Sequence, residues 1–147
     1  MSLLRAAQQT DAGAVGAILS EFIDTTDWMP RIHTRAEDVA HAGMMIDRGW
    51  VTVAEDEGRI IGFASLDGPE LHALYVARDA RNRGTGTALL AHAKAAQKTL
   101  QLWTFQANAG AQRFYLRHGF VEVLRTDGIE NDEKLPDIRY AWARETG

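Results

Sequence analysis

Residues 81–90 read RNRGTGTALL, in which two arginines and two glycines precede a run of good helix formers. The residues before this stretch, Leu71 to Val76, are typical of a strand, and those from Gly86 to Lys98 are typical of a helix. The first turn of a helix has unpaired N–H groups and the positive end of the helix dipole, and glycines let a ligand approach the backbone. The pattern predicts a phosphate or pyrophosphate site, although an ordinary glycine turn explains the stretch alone about equally well.

Two common nucleotide-binding motifs do not fit this stretch. A P-loop requires Gly-Lys-Ser/Thr, but Gly86 is followed by Thr87 and Ala88. A dinucleotide fingerprint requires a third glycine where Leu89 stands and an acid about 20 residues further on. Residues 101–106 contain no acid, so this motif is excluded as well.

The charge of the chain is unevenly distributed. The 147 residues carry a net charge of −4, but residues 80–121 contain six basic and no acidic residues. This local excess predicts a positive field for an anionic ligand, whereas chance clustering on solvated helix faces is the structural alternative. The overall acidity argues against nucleic acid as a partner.

The sequence also argues against a membrane protein, a disulfide-bonded protein and a metal-binding protein. No apolar run is long enough to span a membrane, and residues 1–10 lack the pattern of a secretory signal, so we expect no membrane partner. The chain has no cysteine, which excludes disulfides and a cysteine nucleophile and favours a cytoplasmic location. The five histidines show no metal-ligand spacing, so no metal is expected.

Periodicity and turn residues predict a single domain of mixed α/β (α+β) class over residues 1–147. Strand patterns occur at 3–6, 50–55, 59–66, 71–76, 100–106, 120–125 and 138–143, and helix patterns at 11–22, 34–47, 86–98 and 109–118. Thr34 and Glu37 form a capping-box pattern at the start of the second helix. The crossover from 71–76 to 100–106 makes those two strands parallel.

Two segments together resemble a known family. LYVARDARNRGTGTALLAHA, residues 74–93, resembles the acetyl-CoA-binding segment of the GNAT superfamily of N-acetyltransferases, whose pattern R/Q-x-x-G-x-G/A is met by Arg81, Gly84 and Gly86. NAGAQRFYLRHGF, residues 108–120, is similar to the second signature of that family and follows at a normal spacing. The resemblance covers about half of the chain and implies a mostly antiparallel sheet with a splayed parallel strand pair and about four helices.

The resemblance implies that acetyl-CoA is the co-substrate, with its pyrophosphate on the backbone N–H groups at the start of the 86–98 helix and its pantetheine arm between the splayed strands. A backbone amide near Val76 would polarise the thioester carbonyl. Asn108 would contact the pantetheine or adenine side, although it serves equally well as a helix N-cap. Phe114 is also expected to face the core. The expected cofactor-binding residues are Leu74, Tyr75, Val76, Arg81, Asn82, Arg83, Gly84, Thr85, Gly86, Thr87, Asn108, Phe114 and Tyr115.

Three residues are candidates for the chemistry. The resemblance implies that the Tyr115 hydroxyl lies beside the CoA sulfur and acts as general acid. LHALYV, residues 71–76, resembles the strand of arylalkylamine acetyltransferases in which a histidine at the position of His72 supports proton removal. Strict alternation places Glu70, His72, Leu74 and Val76 on one face, so Glu70 is a second candidate base. A purely structural role for His72 explains the sequence equally well.

The acceptor is expected to be a primary amine that receives the acetyl group directly in a ternary complex. Phe22 and Trp28 are the candidate substrate-binding residues, and the acidic loop 127–137 suits a cationic small-molecule amine. Both aromatic residues also serve as ordinary packing of a lid. A non-enzymatic CoA-binding module and a protein or peptide amine are the alternatives, and the resemblance also implies a homodimer.

Overall fold

The computed structural model describes residues 2–145. The predicted helices and strands occur in the predicted order, with ends that lie within two residues of the expected positions. They are β1 Leu3–Ala6, α1 Ala12–Asp24, α2 Arg35–Asp47, β2 Val51–Asp56, β3 Arg59–Asp67, β4 Glu70–Val76, α3 Thr85–Ala96, β5 Thr99–Phe105, α4 Ala109–Arg117, β6 Val121–Thr126 and β7 Asp137–Ala143.

The seven strands form one mixed sheet in the order β1-β2-β3-β4-β5-β7-β6. Every neighbouring pair is antiparallel except β4 and β5, which are parallel. The parallel pair is in register only at Glu70 and Gln101, so the two strands separate towards their carboxyl ends. The predicted α/β fold class and the predicted splay are therefore confirmed.

Helices cover both faces of the sheet. A Cβ atom on Gly62 of β3 would lie 3.3 Å from Leu89 and Thr85 of α3, so this face packs on α3. The next residue, Phe63, is fully buried on the opposite face, and its ring lies 5.8 Å from that of Tyr75. Tyr75 in turn contacts Phe22 of α1, with ring centroids 4.9 Å apart. The core thus lies on both faces of β3 and β4, next to the splay between β4 and β5.

The two N-terminal helices pack closely on each other. A Cβ atom on Gly16 of α1 would lie 2.7 Å from the Cα atom of Val39 in α2, so only glycine permits this approach. The predicted capping box at the start of α2 is confirmed: Thr34 Oγ1 accepts from Glu37 N at 3.1 Å, and Glu37 Oε1 accepts from Thr34 N at 3.0 Å.

The strict alternation predicted for β4 is wrong at the start of the strand. Ser65 pairs with Ala73 and Leu66 pairs with Leu71, so His72 is an extra residue without a partner in β3. Such a bulge shifts the alternation of side chains by one residue. Glu70 and His72 therefore do not share one continuous face with Leu74 and Val76.

Candidate active site

The splay between β4 and β5 opens into a cavity of about 550 Å³. Its wall comes from the end of β4, the loop that follows, the first turn of α3 and one side of α4. All but one of the predicted cofactor-binding residues line it, namely Leu74, Tyr75, Val76, Arg81, Asn82, Gly84, Thr85, Gly86, Thr87, Asn108, Phe114 and Tyr115. Phe22, which was predicted to bind the acceptor, lines it as well.

The loop before α3 has the geometry of an anion site. Asn82 and Gly84 adopt left-handed backbone conformations with φ of 64° and 83°. The first amide of α3 that bonds back to a carbonyl is that of Ala88, which donates to Gly84 O at 3.0 Å. The preceding N–H groups of the helix therefore remain available to a ligand at the positive end of the helix dipole. No atom lies within 4 Å of a Cβ placed on Gly84, so the approach is open.

Arginine side chains add positive charge to one wall of the cavity. Arg81 lines it as predicted, together with Arg113 and Arg117 of α4. Arg83 does not: its guanidinium donates to Asp79 O at 3.1 Å and lies 3.7 Å from Asp56 Oδ2. Sequence reasoning did not assign Arg113 and Arg117 to the site, although their spacing of four residues places both on one helix face.

Asn108 and Phe114 each have a structural role and also line the cavity. Asn108 is the N-cap of α4, and its Oδ1 accepts from Ala111 N at 3.0 Å while the residue also lines the cavity. Phe114 is only partly buried, and its ring lies 3.6 Å from where a Cβ atom on Gly86 would be. Phe114 packs against the hydrophobic core, and its ring also borders the cavity.

A second, narrower cavity of about 90 Å³ adjoins the first across the splay. His72, Trp103 and Phe105 line it, and Tyr115 lines both cavities. Thr104 lines it too, with a buried hydroxyl that has no hydrogen-bond partner among residues 2–145. Trp103 is 45% exposed and stands at the rim. Tyr115 is therefore one of six residues that the two cavities share, the others being Phe22, Leu74, Tyr75, Asn108 and Ala111.

Tyr115 is the most buried polar residue at this junction, with 8% of its surface exposed. Its ring packs between Phe114 and Phe120, with centroids 5.1 and 5.3 Å away. No group of the described residues forms a hydrogen bond with its hydroxyl, which is free to bind a ligand. Burial, and secondarily the nearby Tyr75, raises the pKa of the Tyr115 phenol well above its ordinary value, so the group stays protonated at neutral and moderately alkaline pH.

The two candidate bases occupy different environments. His72 is 40% exposed, stacks on Trp50 with ring centroids 5.0 Å apart, and places Nε2 3.7 Å from Asp67 Oδ2. Glu70 lines neither cavity, and both its oxygens accept hydrogen bonds from Arg139 at 2.7 Å. The structure therefore brings His72, but not Glu70, to the cavity that Tyr115 lines.

The loop between α1 and α2 packs against residues that line the narrow cavity. Trp28 lies in this loop and contacts Phe22 and Phe105, with ring centroids 6.3 and 5.7 Å away. Arg31 fixes the same loop, because it donates to Asp24 Oδ1 at 2.7 Å and to Asp38 Oδ2 at 3.0 Å. Trp28 lines neither cavity itself but supports two residues that do.

Two general properties of the described residues bear on function. Among residues 2–145, no helix is long and apolar enough to cross a membrane. The same residues contain no group of three or more histidine, aspartate and glutamate side chains that could hold a metal ion.

Known proteins match this sequence and this fold. Residues 47–122 match the family model of the acetyltransferase (GNAT) domain. The peptidyl-lysine N-acetyltransferase YiaC of Escherichia coli (strain K12) is 31% identical over 95% of this chain and 96% of its own length. The chain therefore belongs to the GNAT acetyltransferase family, and it is an acyltransferase.

Two further proteins show the same fold. YjaB of Escherichia coli (strain K12), also named a peptidyl-lysine N-acetyltransferase, is 26% identical over 95% of both chains. Its apo-form solution structure aligns with a TM-score of 0.81 over 99% of both chains, at 23% identity. The structure of yncA from Salmonella typhimurium with its cofactor acetyl-CoA aligns with a TM-score of 0.76 over 100% of this chain and 96% of the other, at 18% identity.

Proposed function

We propose that this acyltransferase moves the acetyl group of acetyl-CoA directly to the ε-amine of a lysine in a peptide or protein. The observation that carries the proposal is the position of Tyr115, a buried tyrosine with an unpartnered hydroxyl at the meeting point of a wide and a narrow cavity. The wide cavity, with the anion site in the loop before α3, suits a large phosphorylated co-substrate. The narrow cavity suits an unbranched alkyl amine.

The residues of the wide cavity fit acetyl-CoA. The open N–H groups at the start of α3 are suited to the pyrophosphate, and the left-handed Gly84 leaves room for it. The guanidinium groups of Arg81, Arg113 and Arg117 supply the counter-charge. The unpaired stretch between β4 and β5 leaves backbone groups free to bind the pantetheine arm.

Tyr115 and His72 carry out the proton transfers of the reaction. When bound, acetyl-CoA supplies the thioester, whose C–S bond breaks as the C–N bond of the amide forms. Tyr115, held protonated by its raised pKa, donates its proton to the departing thiolate sulfur. His72, directly or through water, takes one proton from the lysine ammonium before the amine attacks and returns that proton to solvent. The second proton, which the nitrogen loses once the C–N bond has formed, restores the Tyr115 phenol. Glu70 is not assigned this role, because Arg139 occupies both its oxygens.

A lysine arm suits the acceptor side better than a bulky amine does. The narrow cavity of about 90 Å³ has aromatic walls, and the exposed Trp103 at its rim lies open to the surface. A slender alkyl chain can enter while the rest of the acceptor stays outside. The names of YiaC and YjaB as peptidyl-lysine N-acetyltransferases support this choice over a small-molecule amine.

The proposal is tested by incubating the purified protein with acetyl-CoA and a panel of blocked peptides, each with a single lysine, beside a panel of small primary amines. We expect equal amounts of free CoA thiol and acetyl-lysine, with intersecting initial-rate lines when both substrates are varied. Acetyl-CoA binding without release of thiol in any mixture would instead identify a non-enzymatic CoA-binding module. Turnover of small amines alone would exclude the peptide acceptor.

A further inference from the structure

His72 is the extra residue of the bulge in β4, so its side chain does not follow the ordinary alternation of that strand. The register between β3 and β4 shifts by one residue at this point, and no residue of β3 pairs with His72. Bulges of this kind redirect a side chain and are common beside active sites. His72 lines the narrow cavity, so the bulge is the first of three features that fix the direction of its imidazole.

The indole of Trp50 lies against the imidazole of His72 as the second feature. Their ring centroids are 5.0 Å apart, and their planes differ by 17°. The backbone of Trp50 is itself fixed, because its N–H donates to Met45 O at 3.1 Å and its carbonyl accepts from Leu66 N at 2.8 Å. The guanidinium carbon of Arg48 lies 5.0 Å from the centroid of the same indole. The residue that stacks on His72 is therefore anchored to α2 and β3.

The third feature is a carboxylate beside the same imidazole. Asp67 is the last residue of β3, and its Oδ2 lies 3.7 Å from His72 Nε2. The turn that follows Asp67 is fixed to β5, because Gln101 N donates to Pro69 O at 2.8 Å. A carboxylate beside one ring nitrogen favours the tautomer in which that nitrogen carries the hydrogen. The arrangement thus favours a neutral His72 with its hydrogen on Nε2 and its lone pair on Nδ1.

We infer that Trp50 and Asp67 are positioning residues of the acetyl transfer: the indole sets the plane of the His72 imidazole, and the carboxylate sets its tautomer so that Nδ1 takes the lysine proton. This inference rests on the proposed function. An N–H bond of the lysine ammonium breaks, the proton reaches Nδ1 directly or through water, and the amine keeps the electron pair that attacks the thioester. The Asp67 carboxylate and the face of the Trp50 ring stabilise the imidazolium until Nδ1 releases the proton to solvent.

The first test observes the tautomer and needs no substrate. NMR of the imidazole nitrogens is recorded at a pH about two units above the ordinary histidine pKa of about 6.5, with the His72 signals identified by their loss in His72→Gln. The proteins are wild type, Asp67→Ala and the control Asp47→Ala, which removes the same charge from the exposed end of α2. We expect the hydrogen on Nε2 in wild type and Asp47→Ala, and a measurable fraction with the hydrogen on Nδ1 in Asp67→Ala. A hydrogen on Nδ1 in the wild type, or identical tautomers in wild type and Asp67→Ala, would overturn the role of Asp67.

The second test is a double-mutant cycle in kcat, measured with acetyl-CoA and a blocked lysine peptide. We expect Asp67→Ala and Trp50→Leu each to lower kcat about tenfold and to leave the KM of acetyl-CoA within about twofold. Neither substitution is expected to have a further effect in the His72→Gln background. Trp50→Phe, which keeps an aromatic ring against the imidazole, is expected to stay within about threefold of wild type. Losses of the same size with and without His72 would show merely structural roles and would overturn the inference.

Failure of the inference and failure of the proposed function give different results. A tautomer that depends on Asp67, in a protein that acetylates no peptide, would overturn the proposed function while supporting the orientation of His72 by Asp67. Acetylation that depends on His72 but not on Asp67 or Trp50 would overturn the inference and leave the proposed function in place. Urea denaturation of each variant shows that a lower kcat does not come from altered folding.

Discussion

Arg139 binds the carboxylate of Glu70 with both terminal nitrogens, each 2.7 Å from one carboxylate oxygen. The same guanidinium donates to the side chain of Gln101 and stacks over Trp103, with its carbon 5.2 Å from the ring centroid. Glu70 and Gln101 are also the only residue pair in register between β4 and β5. Arg139 belongs to β7, which lies next to β5 on the side away from β4, so its side chain reaches across β5 to Glu70. The ion pair therefore holds together the end of the splay at which β4 and β5 are paired.

Substitution of Glu70 separates this structural role from a role as base. We expect Glu70→Gln to leave kcat within about threefold of wild type and to lower the free energy of unfolding by about 1–2 kcal/mol, because Arg139 loses its charged acceptor. His72→Gln is expected to lower kcat by about a hundredfold with little change in stability. Initial rates and urea denaturation of both variants check this. A large loss of kcat in Glu70→Gln alone would reverse the assignment.

The left-handed conformation of Gly84 predicts a selective effect on co-substrate binding. Alanine at this position is strained by about 1 kcal/mol, and the strain is relieved by distorting the loop that precedes α3. We expect Gly84→Ala to raise the Kd of acetyl-CoA about tenfold. Gly13→Ala in α1 is the control, since nothing lies within 4 Å of the added Cβ and its φ is not positive. Calorimetric titration with acetyl-CoA should show no change in that variant.

The ion pairs of Arg31 predict how much this side chain, which holds the loop between α1 and α2, contributes to the free energy of unfolding. Asp38 has a side chain that is only 4% exposed, and it accepts from Arg31 and from Ser20 Oγ, the latter at 2.6 Å. Removal of Arg31 leaves this carboxylate buried without its cation, so Arg31→Ala is expected to cost about 3 kcal/mol of unfolding free energy. Arg35→Ala is the matched control, because Arg35 is 76% exposed and, among residues 2–145, pairs only with Asp24. Its expected cost is below about 1 kcal/mol. Equal losses in chemical denaturation would contradict this account of the loop.

The pairing of Asp11 predicts a pH dependence of stability. Its carboxylate accepts from Arg5 at 2.8 Å and from Gln8 N at 2.7 Å, and the hydrogen bonds from Arg5 are the main reason that its pKa is lowered. A lowered pKa in the folded state stabilises the fold above the unfolded value of about 3.9, and this contribution is lost as the pH falls through the folded value. Asp11→Asn should therefore be less stable than wild type by about 1 kcal/mol at pH 7.

Urea denaturation of Asp11→Asn and wild type at several pH values measures this difference. The difference is expected to shrink steadily as the pH is lowered below about 4. A difference that is the same at neutral and at acid pH would show that Asp11 acts by packing and not by its charge.

Local signals explain why much of the fold could be predicted from the sequence. The order of helices and strands follows from hydrophobic periods and turn residues, and the parallel pair follows from the crossover through α3. The anion site in the loop before α3 could be predicted from the sequence because Gly84, Gly86 and the start of α3 are neighbours in the chain. These features depend on residues that lie within one turn or one loop of each other.

Features that depend on distant pairing were not predictable in the same way. The bulge at His72 arises from the register between β3 and β4, so strand alternation alone misplaced Glu70. The ion pair of Glu70 with Arg139 joins residues 69 positions apart. Arg83, although it lies inside the glycine motif, turns away from the cavity because Asp56 and Asp79 lie on its other side. Each outcome was decided by neighbours in space and not in sequence.

The most direct test of acid catalysis by Tyr115 is a side-by-side measurement of CoA thiol release by wild type and Tyr115→Phe, with acetyl-CoA and a blocked lysine peptide. The substitution removes one unpartnered hydroxyl from a packed ring, so the fold and the Kd of acetyl-CoA are expected to be retained. Loss of the proton donor is expected to lower kcat about a hundredfold at pH 7.5. Turnover by Tyr115→Phe at the wild-type rate, with the fold intact, would contradict the role of Tyr115 as the acid that completes acetyl transfer.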